Sequence, residues 1–180
     1  DAVQDDDHGA YILGKEYTAG SGSDLLMYRI NGAGDVMMEN HLSMPDDERP
    51  VSILKQSSGA LFVTGTQGAA VAERDIFLTK IDPQTLDTLW FKRIQLPGMQ
   101  APHAAVITPG GDIALAGEYI PEGSTSRDAF LALFNDEGDL LWLKIYGGLK
   151  GDIFWDIRNS GDGMGFVIAG QTASFSPGGD

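Results

Sequence analysis

A chain of 180 residues with 42% hydrophobic and 21% charged side chains can bury a sizeable core, and its 24 glycines and 8 prolines favour many short elements over a few long helices. A net charge of −14 excludes nucleic acid and anionic membrane surfaces as partners, because both demand a cationic face. Cysteine is absent, which excludes disulfides and thiolate metal sites, and no apolar run reaches the ~20 residues that span a bilayer.

The opening DAVQDDDHG (1–9) reads as an acidic tail rather than a signal peptide. Next comes the first of four related segments: AYILGKEY (10–17), ALFVTGTQ (60–67), DIALAGEY (112–119) and GFVIAGQT (165–172). Each alternates apolar residues up to a glycine. The glycines Gly14, Gly65, Gly117 and Gly170 are spaced by 51, 52 and 53 residues (65 − 14, 117 − 65, 170 − 117). A second series starts with an acid: DLLMYRIN (24–31), DIFLTKID (75–82) and DAFLALFN (128–135), led by Asp24, Asp75 and Asp128. A third comprises GDVMMENHL (34–42), LDTLWFKRIQL (86–96) and GDLLWLKIYGG (138–148), with Met38 standing where Trp90 and Trp142 stand. Between copies lie PVSILKQ (50–56), PHAAVIT (102–108) and FWDIRNS (154–160).

Period-2 alternation, branched and aromatic side chains, and Gly/Asn/Asp turns predict that every one of these segments is a strand. The order is constant, so each copy is predicted to meander as one four-stranded antiparallel sheet. The fold class is therefore all-β: a β-propeller of blades of about 52 residues, incomplete here, with blades near 10–42, 50–94, 102–146 and 153–172. The first copy lacks its first strand and the last stops after its second, which predicts thirteen strands. The recurring indole is expected to fill the wedge between neighbouring sheets. The recurring aspartates are expected to bond turn amides.

These segments resemble the bacterial β-propeller repeats grouped with the pyrroloquinoline-quinone-like propellers. KIDPQTLDTLW (80–90) is similar to their Asp…Thr…Trp docking motif, with Leu86 in place of the usual glycine. The resemblance implies a protein exported to the periplasm or surface of a Gram-negative bacterium, with a lipid anchor upstream of residue 1 as an expectation. It implies partners among proteins, glycans, further blades or a second copy sharing a ring.

The short turns repeat faithfully while the loops on the opposite side diverge, which marks the loops as the binding surface. Arg49, Arg74 and Arg127 end such loops and could grip a carboxylate or phosphate, or simply pair with nearby aspartates. His103 and Trp155 occupy equivalent positions of the first strand and are candidates to face a central channel. No nucleophile elbow, phosphate loop or zinc motif occurs. The reading is accordingly a non-catalytic binding module with no metal and no cofactor. The alternative is a piece of a quinone-type dehydrogenase or hydrolase whose axial site other blades complete.

Overall fold

The computed structural model describes residues 1–18, 22–43, 46–68 and 74–175. Among them there is no helix, and fourteen antiparallel strands form three four-stranded sheets and one two-stranded sheet. The first sheet runs β1 (Ala2–Gln4), β2 (Ala10–Thr18), β3 (Gly22–Ile30), β4 (Val36–Leu42) in sequence order. The second runs β5 (Glu48–Lys55), β6 (Leu61–Gln67), β7 (Asp75–Ile81), β8 (Thr88–Ile94), and the third β9 (Met99–Ile107), β10 (Ile113–Ile120), β11 (Asp128–Phe134), β12 (Leu140–Tyr146). The hairpin β13 (Asp152–Asn159) and β14 (Phe166–Thr172) is the two-stranded sheet.

The expected tail is corrected by the structure. Residues 2–4 form β1, the strand missing from the first copy, with Ala2 opposite Ile12 and Gln4 opposite Ala10. The acidic run that follows is a fixed corner. Asp5 is buried and accepts from Arg29 Nε at 2.7 Å, while Lys55 Nζ lies 2.6 Å from Asp6. Burial alone would raise the Asp5 carboxyl, but the Arg29 guanidinium and the Asp6 amide outweigh it and hold Asp5 below the usual carboxylate range. Sequence reading took this run as solvated because its cations lie 24 and 49 residues away (29 − 5, 55 − 6).

The chain divides into two compact units, residues 1–70 with 76–94, and residues 71–75 with 95–180. In the first unit, β5 packs across β1, β2 and β3. The core between these two sheets is built by Leu13, Leu25, Met27, Leu61, Val63 and Phe77, with Met38 and Phe91 packed at its margin. In the second unit, β13 packs against β9, β10 and β11. Here the contact residues are small (Ala104, Ala114 and Ala116), which lets the hairpin approach closely, while Trp142 and Phe166 fill the margin. Met38 and Trp142 thus occupy the predicted wedge positions, half-buried rather than enclosed. Trp90 packs on Phe62 of its own sheet, ring centroids 6.1 Å apart.

The repeat glycines are explained by a feature that a sequence does not display. The first strands β5, β9 and β13 each carry one extra residue opposite the partner: Val51 between Pro50 and Ser52, His103 between Pro102 and Ala104, Trp155 between Phe154 and Asp156. These are β-bulges, and they recur every 52 residues (103 − 51, 155 − 103). The bulge swings a carbonyl toward the partner strand. A methyl added at Gly65 would lie 2.1 Å from the Arg49 oxygen, one at Gly117 2.1 Å from the Ala101 oxygen, and one at Gly170 2.4 Å from the Ile153 oxygen. Gly14 faces no such bulge, and its nearest atom would be 3.8 Å away. A second bulge recurs on the fourth strands and leaves Met37, Leu89 and Leu141 exposed. Bulges on an outer strand also twist that edge away from pairing with another chain.

Leu86 adopts the left-handed region with φ of 61°, where its counterparts carry glycine by resemblance. Its fully buried side chain joins the first unit's core, which offsets the backbone cost.

Candidate functional site

In the second unit, the bulges on β9 and β13 bring two sequence-predicted residues together. His103 and Trp155 stack with ring centroids 4.7 Å apart and a 41° tilt. The pairing follows from their matching bulge positions, because β13 packs against β9. Trp155 stays 48% exposed, so its indole offers an open face to a ligand.

Glu118 on β10 completes the cluster. One carboxylate oxygen accepts from Arg127 Nη1 at 2.9 Å, and the other lies 3.9 Å from His103 Nε2. Burial pushes the His103 imidazole below its ordinary 6.5, and the Arg127 charge lowers it further, against an opposing pull from Glu118. His103 is therefore neutral in the folded protein near pH 7, and the Arg127–Glu118 pair supplies the fixed charges. Three of the five expected binding residues thus meet around a glutamate that sequence reading passed over. Its one visible signal was a position beside Gly117, two places before the divergent loop that ends at Arg127.

That loop and the one before β9 enclose a cleft of about 560 Å³, lined by Gly98, Met99, Ile120, Pro121 and Ser124. The two loops touch, since a methyl at Gly98 would lie 2.2 Å from the Ile120 carbonyl oxygen. Tyr119 braces them by donating to the Pro97 carbonyl at 2.8 Å.

The other two arginines do not join this site. Arg49 belongs to the first unit and donates to Asp47 at 3.1 Å, within its own loop. Asp47 in turn accepts the Ser23 amide at 2.9 Å, so this arginine anchors a loop rather than a ligand. Arg74 offers its carbonyl to the Gln100 amide at 3.1 Å, as Arg127 does to the Asp152 amide at 2.9 Å. The repeated arginines are therefore partly backbone links between a third strand and the following first strand. The divergent loops around residues 19–21, 44–45 and 69–73 lie outside the described residues.

Of the repeat aspartates, Asp24 and Asp128 each have one oxygen, Oδ1, that is buried with no hydrogen-bond partner. Also among the described residues, no group of three His, Asp or Glu side chains is arranged to hold a metal ion. What the cluster offers chemically is a partly exposed indole face beside a paired guanidinium and carboxylate.

His41 and His103 are shifted in opposite directions, a difference that NMR can read. His41 is held between Glu39 and Glu16, at 2.9 and 2.6 Å, and these carboxylates raise it above 6.5. Imidazole proton titrations should therefore place His41 above and His103 below that value. Glu118→Gln should move His103 lower still, because it removes the one group that stabilises the imidazolium. An upward shift in that variant would contradict the assigned geometry.

A comparison with protein-family models and a search of curated proteins both returned no match. What the fold defines is a class: tandem antiparallel four-stranded sheets repeated at about 52 residues.

Proposed function

We propose that the chain is part of a non-catalytic β-propeller-like binding module, its sheets acting as blades and its divergent loops engaging a protein or glycan. The constant strand order supports the blade reading, as does the packing of each unit's later first strand against its earlier one, β5 on β1 and β13 on β9. The half-exposed Trp155, stacked on His103 and flanked by the Arg127–Glu118 pair, carries the binding reading. An indole face with a few placed polar groups is what a sugar ring or an extended peptide requires. The resemblance to secreted pyrroloquinoline-quinone-like repeats supports an extracytoplasmic setting, at the periplasm or cell surface.

Glycan-array screening followed by calorimetry tests this. Trp155→Ala and Arg127→Ala are each expected to weaken a bound ligand at least about tenfold, the size of a lost stacking or charge-assisted contact. Unchanged affinity in both variants, or turnover of a bound substrate, would refute the reading.

A further inference from the structure

Each unit places acidic side chains at low exposure near the start of a third strand and of the next first strand. In the first unit, Asp24 at the start of β3 and Glu48 at the start of β5 are 4% and 0% exposed. Glu48 accepts a hydrogen bond from Gln67 Nε2 at 2.8 Å, and its second oxygen Oε2 is buried with no partner. Asp24 Oδ1 is likewise buried without one. The charged groups around them are accounted for. Glu16 of β2, opposite Asp24 in register, is held by His41, and in the loop before β5 Asp47 holds Arg49 while Asp46 holds Arg93. Among the described residues, none of these cations pairs with Glu48, and burial without a cation disfavours its charged form.

We propose that this junction binds a proton on Glu48, which is held as a neutral carboxylic acid. The repeat supplies its own comparison. Gln100 stands 52 residues on from Glu48 (100 − 48), and an amide is the isostere of a protonated carboxyl. Asp152 stands 52 residues further (152 − 100), and there the balance is reversed. Its carboxylate accepts from Thr172, from Ser174 Oγ at 2.6 Å and from the Gly148 amide at 3.2 Å. Those donors hold Asp152 below its ordinary range despite its burial, while burial and the Asp152 charge push Asp128 up. At Glu48 the Gln67 side chain and the Asp46 and Glu48 backbone amides favour the charged form, but burial outweighs them and, with the Asp24 charge, pushes Glu48 up.

The sign follows by linkage. A folded-state value raised above the ordinary 4.5 gives stability that is fully present below that pH and is lost as pH rises through the raised value. Within that window the unfolding constant gains up to a factor of about ten per pH unit from this one proton. The junction is therefore tightened by acid, although the chain is strongly acidic.

The test compares the full chain with Glu48→Gln by urea denaturation from pH 4 to 8, alongside a carboxyl carbon-13 titration of the unaltered protein. Glu48 is expected to titrate clearly above its ordinary value, and Glu48→Gln to flatten the dependence in that window without loss of stability at pH 7. Titration of Glu48 at the ordinary value overturns the proposal, as does a raised titration with an unchanged pH profile in the variant. If Glu48→Gln fails to fold, the carbon-13 titration decides.

Discussion

Replacing Gly117 with alanine is expected to destabilise the second unit by about 3 kcal/mol or more, the upper part of the range for forcing atoms into a packed site. The added methyl would lie 2.1 Å from the Ala101 carbonyl oxygen and 2.7 Å from the Pro102 Cα. Both obstacles are backbone, so no side-chain rotation relieves them. Relief would require flattening the His103 bulge, which shifts the register of β9 by one residue and turns its side chains to the opposite face. Gly65→Ala should behave alike, meeting the Arg49 oxygen at 2.1 Å and the Phe77 ring at 2.7 Å. Gly14→Ala is the internal control. Its surroundings are open and its φ is not in the left-handed region, so it should be neutral or stabilising by up to about 1 kcal/mol. Urea denaturation of the three variants checks the series. Equal losses at Gly14 and Gly117 would show that the bulge is not the cause.

Phe77→Ala should cost about 3–5 kcal/mol, the range for emptying a fully buried aromatic site. The ring is 0% exposed, lies in the core between the first two sheets, and stacks on Phe91 with centroids 5.6 Å apart. Gly65, where an added methyl would meet the ring at 2.7 Å, has no side chain to move into the vacated space. Against the roughly 5–15 kcal/mol that separates folded from unfolded domains, this is a large fraction. Phe175→Ala, whose ring is 67% exposed, should change the denaturation midpoint hardly at all.

Strands and their order were legible because alternation and turn chemistry are local, and because three or four copies of each pattern reinforce one another. β1 escaped notice because three residues, AVQ, show too little alternation to be recognised. The repeat glycines were visible at once, but their cause was hidden. Steric need at Gly117 depends on a carbonyl of residue 101, displaced by an unpaired residue in the neighbouring strand. Of the site, Arg127, His103 and Trp155 were found from loop position and repeat equivalence. Glu118 was missed because a polar residue near the end of a strand looks like ordinary surface. The burial of an oxygen at Asp24 and Asp128 was hidden for a related reason: it depends on packing beyond the local sequence.

The unpaired residues 51, 103 and 155 have a practical meaning for altering the molecule. Because the hydrogen-bond ladder passes over them, they are valine, histidine and tryptophan while the backbone around them stays the same. They mark the places where each copy changes its side chain without changing its ladder. A library randomised at those three codons would read how far folding depends on the side chain carried at a bulge.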